Sequence, residues 1–486
     1  MSAKGQTCKE IIALDALALS RAIKQRQISC REVMHAYLEH IARHNQPVNA
    51  IVSLRPDDEL LSKADQYDRE LAQGHYRGWL HGIPQAPKDL AGCKGAVTSM
   101  GSPLFAQQIS AQDAYAIARM REAGAIFIGR TNVPEFGLGS HTYNPVFGTT
   151  GNAYNPALSA GGSSGGAAVA LALRMLPVAD GSDMMGSLRN PAAWNNVYGL
   201  RPSLGRVPAG PAPELFLQQL GTEGPMGRSV ADVAALLRTQ AGYTPHAPLS
   251  LRGTEDLHAA LKRDFTGTRI GWLGDFNAYL PTEPGVMPLC EAGLKQFSAL
   301  GINVEACQVD YAMERLWQCW LVHRQWLVAG LLAPAYMQKK DRAKLKPEAV
   351  WEVENGLKLT AMDVWRASVE RGNWYRALLK LFERYDYLLL PSAQVFPFDK
   401  TQAWPEHIAG HRMDTYHRWM EVVIGPTLAG LPTMSVPIGF NKAGLPMGLQ
   451  LIGKPQADRA VLQLAYAHEQ QTRWVQHKLP PKLHLS

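Results

Sequence analysis

Residues 159–194 read SAGGSSGGAAVALALRMLPVADGSDMMGSLRNPAAW, five serines among a dense scatter of glycines. Gly162 to Gly166 fit the pattern G-x-S-x-G centred on Ser164, the turn that presents the nucleophile of Ser-His-Asp hydrolases. The same GGSSGG ahead of an apolar run also has the texture of a phosphate cradle at a helix N-terminus. Neither reading is complete. The nucleophile turn needs a strand ending at its first glycine, and the preceding NAYNPALSA reads as loop. It also needs a basic histidine, yet His246, His258, His323, His407, His411, His417 and His468 all lie outside turn-rich motifs. A P-loop needs a closing Gly-Lys-Ser/Thr, and a dinucleotide fingerprint needs a strand, G-x-G-x-x-G and a later acid; both are missing.

Outward from this stretch, helix and strand patterns alternate. AAVALALRM reads as a buried helix and LPVADGSD as a strand with its turn. Upstream, DAYAIARMREAG is helical, with Gly124 at its C-terminal end, and AIFIG is a short buried strand. Downstream, SVADVAALLRTQAG is an amphipathic helix, and residues 268–310 carry a βαβ pattern. YDYLLLPS, TMSVPIGF and MGLQLIG are further strands, and DRAVLQLAYAHEQQ closes with a helix. Residues 9–75 are helical in period, with Ser29 and Glu32 forming a capping box. Strands spread along the whole chain and alternating with helices predict an α/β fold, one large sheet covered by helices on both faces. There is no repeat and no low-complexity linker. The expected organisation is a single domain over 1–486, with an N-terminal helical part (9–75), a catalytic core (76–240) and a helical, aromatic-rich insert (about 311–420). That insert carries Trp317, Trp320, Trp326, Trp351, Trp365, Trp374, Tyr375, Trp404, Tyr416 and Trp419, read either as core or as the lining of a substrate entrance.

Hydrophobic residues make up 46% of the 486-residue chain and charged residues 19%, which excludes a disordered chain. The net charge of +7 is dispersed, its densest cluster being KKDRAKLK at 339–346, so no nucleic acid partner is expected. Six cysteines without a C-x-x-C spacing suit neither zinc nor a disulfide framework. Free thiols, no signal-peptide core and no apolar run long enough to span a bilayer lead to the expectation of a cytoplasmic protein without membrane contact.

A serine needs a base, and lysine serves if burial lowers its pKa. Lys88, in GIPQAPKDL, is a candidate; pairing with Asp89 at a surface turn is the other reading.

GGSSGG followed by ADGSDMMGSLRNPAAWNNVYGLRPSLGRVP resembles the defining stretch of the amidase signature family of serine hydrolases. GIPQAPKDL with TSMGSPLF, GRTNVPEFGLGS, RYDYLLLPS and LAGLPTMSVPIGFNKAGLPMGLQLIG are similar to its other blocks, in order along nearly the whole chain. The resemblance implies a single large mixed β-sheet and a Ser-cisSer-Lys triad. Ser187 would be the nucleophile, Ser163 the relay on a cis Gly162–Ser163 peptide, and Lys88 the base. It places the oxyanion hole at the backbone N–H groups of Met184, Met185, Gly186 and Ser187. Ser164 would support the site by hydrogen bonding, Asp183 and Arg189 would fix the nucleophile loop, and no metal or cofactor is implied.

Two departures concern the substrate. Met185 stands where the family has a glycine, and a left-handed backbone there would be costly. Trp194 and Asn195 stand where small residues are usual. Met100, Gly101, Met185 and Trp194 are the expected pocket residues. The expected activity is cleavage of small to medium, apolar or aryl amides, with esters and carbamates (urethanes) open, by a monomer or homodimer. The alternatives are the glutaminase subunit of a tRNA-dependent amidotransferase, a Ser-His-Asp hydrolase using Ser164, and a binding module on a decayed hydrolase fold.

Overall fold

The computed structural model describes residues 7–484. Helices open the chain at Cys8–Ala13, Ala16–Lys24, Cys30–His44 and Asp57–Ala72. The third starts at the expected capping box: Ser29 Oγ accepts from Glu32 N while Glu32 reaches back to Ser29 N. Gly74 ends the helical region in a left-handed conformation (φ 87°).

The centre is one sheet of eight strands: β1 (Val178–Asp183), β2 (Tyr198–Arg201), β3 (Thr222–Gly227), β4 (Arg269–Trp272), β5 (Asn303–Ala306), β6 (Tyr387–Pro391), β7 (Thr433–Phe440) and β8 (Pro446–Gly453). Their order across the sheet is β5-β4-β6-β8-β7-β2-β3-β1. β4 lies parallel to β5 and β6, and all other neighbours are antiparallel, so the sheet is mixed. The β4–helix–β5 unit, with its helix at Val286–Ser298, is the crossover expected from the sequence. β2 and β3 carry no strand signal of their own. β3 reads TEGPMG, poor in strand formers, and is held by pairing with β1 over its whole length.

Helices flank the sheet on both sides. Gly165–Ala172, Val230–Gln240 and Asp458–Thr472 all pack against strands. Every residue of Gly165–Ala172 is buried. It can lie so close to its neighbours because Gly166 has no side chain: a Cβ there would meet Asn132 N at 2.4 Å and Ala50 O at 2.5 Å. Residues 313–382 form the helical insert, led by the long helix Met313–Met337 and closed by Ala361–Phe382. Trp317, Trp320, Trp374 and Trp419 are fully buried core residues, whereas Trp365 is 65% exposed. No helix among the described residues is long and apolar enough to cross a membrane.

Candidate active site

β1 and the loop after it organise the site. Along a strand, alternate residues share a face, so Asp180 and Ser182 point the same way. In the β1–β3 register Ser182 lies opposite Glu223, which joins them on that face. Lys88 approaches from the segment after Pro84–Gln85, which runs parallel to Ile126–Phe127, and is itself bridged to Thr131.

Lys88 is 1% exposed. Its Nζ lies 2.7 Å from Ser163 Oγ, 2.9 Å from Ser164 Oγ, 3.0 Å from Ser182 Oγ and 3.2 Å from Ser182 O. Its backbone N–H donates to Asp180 Oδ2 at 3.1 Å. Asp89, the alternative partner, instead pairs with Arg130 (3.3 Å) and accepts from Ser99 Oγ. Burial lowers the Lys88 pKa to about 7, although the charges of Asp183, Asp180 and Glu223 act in the opposite direction. A lysine so placed is neutral for a large part of the time near neutral pH.

The Gly162–Ser163 peptide is cis. Ser163 and Ser187 are both nearly buried and line one cavity with Lys88. Ser164 Oγ is taken up by Lys88 and by the backbone of Ser182. Among the described residues no histidine hydrogen-bonds to Ser163, Ser164 or Ser187.

The loop from 184 to 188 is clamped by Asp183. Its carboxylate accepts from Gly186 N (2.9 Å) and Leu188 N (3.0 Å), and it takes a two-pronged contact from Arg189 Nε (3.0 Å) and Nη2 (2.9 Å). Arg201 adds a contact at 3.3 Å. Burial opposes the Asp183 charge, but Arg189 and Arg201 outweigh it and hold the carboxyl well below the usual range. Arg189 is tied on to Val423 O, Gln450 Oε1 and Thr427 Oγ1, which links the loop to the far half of the chain. The Gly186 N–H, expected among the oxyanion donors, is thus already given to Asp183, while the N–H groups of Met185 and Ser187 have no hydrogen-bond partner among the described residues. Gly186 adopts φ 78°, and a Cβ there would meet Val423 at 2.9 Å. Met185 is not among the residues with positive φ, so the left-handed backbone that would be costly at this position falls one residue later, on the glycine.

The cavity holds about 470 Å³. Its walls include Met100, Phe105, Phe136, Met184, Met185 and Met420, with Val328, Leu331 and Leu332 from the helix Met313–Met337. Leu331, 63% exposed, marks the mouth. Of the expected pocket residues, Met100 and Met185 line it. Gly101 and Trp194 do not: a Cβ on Gly101 would meet Asn144, and Trp194 is buried, donating to Val395 O and stacked on Trp419. The insert's tryptophans and tyrosines named above do not line it either; the insert contributes Val328, Leu331, Leu332, Met420, the buried His417 and one charged group. That group, Arg324, bonds Glu352 Oε1 (2.5 Å) and Tyr416 Oη (2.6 Å) and reaches Met184 Sδ at 3.8 Å. Ser182, Asp180, Glu223 and Arg324 carry no sequence signal of a site. Only the strand pattern of LPVADGSD, which puts 180 and 182 on one face, could have pointed to two of them.

This architecture has close counterparts. Residues 32–462 match the Amidase family profile. The chain is 32% identical to a glutamyl-tRNA(Gln) amidotransferase subunit of Thermosynechococcus vestitus, covering 96% of this chain and 99% of that protein. It is 29% identical to an acylamidase of Rhodococcus erythropolis, covering 96% and 97%. A crystal structure of a bacterial aryl acylamidase of the amidase signature family superposes with a TM-score of 0.89 at 29% identity, over 95% of this chain and 97% of that one. With a profile match across most of its length and relatives aligned nearly end to end, the chain belongs to the amidase signature family of hydrolases.

Proposed function

We propose that the protein hydrolyses the C–N bond of a small to medium amide bearing an apolar or aryl group, through an acyl-enzyme on Ser187. The observation that carries this reading is Lys88 Nζ, shifted toward neutrality and 2.7 Å from Ser163 Oγ, beside an apolar cavity that Ser187 lines. Ser187 Oγ attacks the acyl carbon and its proton passes through Ser163 to Lys88, since a hydroxyl both donates and accepts. The oxyanion is met by the N–H groups of Met185 and Ser187, with Met184 beside them; removing one such donor costs about 3–4 kcal/mol in acyl transfer. The proton then goes to the departing amine, and water cleaves the ester by the same relay in reverse. Esters and carbamates fit the same chemistry. In cells the substrate would be met in the cytoplasm, by a monomer or homodimer that needs no cofactor.

The second reading is a glutaminase subunit of a tRNA-dependent amidotransferase, favoured by the 32% identity to the glutamyl-tRNA(Gln) amidotransferase relative. Free glutamine carries a full positive and a full negative charge beside each other, and both need partners once desolvated. The one guanidinium on the cavity wall among the described residues, Arg324, is already engaged by Glu352 and Tyr416. The apolar walls therefore favour the amidase. Steady-state rates on an acyl anilide and on glutamine decide between the two. Anilide turnover that vanishes in Ser187→Ala supports the first reading. Ammonia release from glutamine alone, with copurifying partner chains, supports the second.

A further inference from the structure

The polar end of the cavity gathers more carboxyl groups than the protein supplies with cationic partners. Asp180, Ser182 and Glu223 share one face of the β1–β3 pair beside Lys88, and Asp180 and Glu223 both line the cavity. The Glu223 carboxylate, half-buried, has no hydrogen bond or ion pair among the described residues. Asp180 is 4% exposed; its Oδ2 accepts from Lys88 N, while its Oδ1 is buried without a partner. Asp183 is not part of this excess, because Arg189 and Arg201 hold it, and Arg130 is committed to Asp89. That leaves Lys88 as the only nearby cation among the described residues, and Lys88 must be neutral to act as a base. A carboxylate without a partner in an apolar cavity is costly unless something brings it a donor.

We propose that Glu223, backed by Asp180, is a specificity residue that receives a cationic group of the substrate, an ammonium within a few bonds of the scissile amide. This deepens the amidase reading and rests on it. An amide with an apolar body and one ammonium would bury the body against Phe136, Met185 and Leu332 and bring its charge to the Glu223 carboxylate. A matched uncharged amide would leave the carboxylate unpaired in a drier cavity. Burial and the neighbouring Asp180 push Glu223 up to about 8 in the empty cavity, and an arriving ammonium would favour its ionised form. The titratable and charged groups around it are Lys88, Asp180 and the Asp183–Arg189–Arg201 cluster, with Arg324 and His417 elsewhere on the cavity wall and Glu352 paired to Arg324 behind it.

The test uses pairs of p-nitroanilides at pH 8.5: ω-aminoacyl chains against alkanoyl chains of the same length. A second set places an aminomethyl or an ethyl group on the amine side. The readout is the ratio of kcat/KM within each pair. Any change in Lys88 acts on both members and divides out. Wild type should prefer the ammonium member of at least one pair by tenfold or more, Glu223→Gln should remove that preference, and Glu223→Asp should keep part of it. Equal changes on both members would overturn the proposal, leaving Glu223 to act only on Lys88. So would a wild-type preference for the uncharged member in every pair. Should Glu223→Gln fail to fold, inhibition of wild type by alkylammonium ions against alkanols of equal length gives the same answer, tighter ammonium inhibition supporting the proposal and equal or weaker inhibition overturning it. Anilide turnover surviving in Ser187→Ala would instead strike at the underlying amidase reading.

Discussion

Lys88 is the residue whose chemistry depends most on where it sits. Its pKa is lowered, so the neutral form is the one the fold favours. Between about pH 7 and the ordinary lysine range, the unfolded chain holds a proton that the folded one has released. Stability therefore rises with pH across that window and is lowest below it, where both states are charged and the fold must bury the ammonium. Lys88→Met should accordingly raise Tm more at pH 6 than at pH 9, by thermal unfolding at both pH values, while abolishing turnover. On the wild type, kcat/KM for an acyl anilide should climb on an acid limb near pH 7 and level off above it. A limb centred near pH 10 would mean that the amine is not held near neutrality. Replacing Ser187 by Ala should lower kcat by at least ~10³-fold with Tm little changed, as Ser187 Oγ holds no hydrogen-bond partner among the described residues.

At the scale of elements, the loop between β1 and the helix Arg189–Trp194 is held by one carboxylate. Asp183→Asn keeps the size but leaves Arg189 and Arg201 facing a neutral group in the interior. Removing one member of a buried charge cluster costs about 3–5 kcal/mol, so this variant should unfold at markedly lower urea and show little activity. Met185→Gly is a different experiment. Met185 needs no special backbone conformation, so glycine there gains nothing and removes a side chain that is buried at the cavity wall. A loss of about 2–5 kcal/mol is expected from lost packing. The ratio of kcat/KM for branched over unbranched acyl anilides should rise as the cavity widens.

The same elements show what could be read from sequence and what could not. GGSSGG, GIPQAPKDL and DMMGS are local patterns, and the residues they point to meet in one cavity. The capping box at Ser29 and the βαβ unit at 268–310 are equally legible, being written in short-range periodicity. β3 is not, because its sequence is turn-like and its strand geometry comes from β1. Glu223 is lost with it. The burial of Lys88 is also out of reach, since it depends on a sheet assembled nearly a hundred residues later. The tryptophans of the insert are visible, but whether an aromatic side chain faces a core or a cavity is decided by tertiary packing. Here it places Trp317, Trp320 and Trp374 in the core and leaves aliphatic residues at the mouth.

Over the whole molecule, the long helix Met313–Met337 is pinned through Arg324, Glu352 and Tyr416. Glu352→Gln should leave Arg324 charged without its carboxylate, lower Tm, and raise KM for bulky anilides more than it lowers kcat, because the wall moves and the relay does not. A drop in kcat at constant KM would show that this helix acts on the chemistry itself. The proposed base and nucleophile hang on β1, its loop and the segment around Lys88, whereas Val328, Leu331 and Leu332 of the apolar wall belong to one helix of the insert. Descent can therefore work on the two separately. Changes at Val328, Leu331 or Leu332 alter what enters without touching how it is cleaved, so one inherited reaction can be handed from substrate to substrate as lineages diverge.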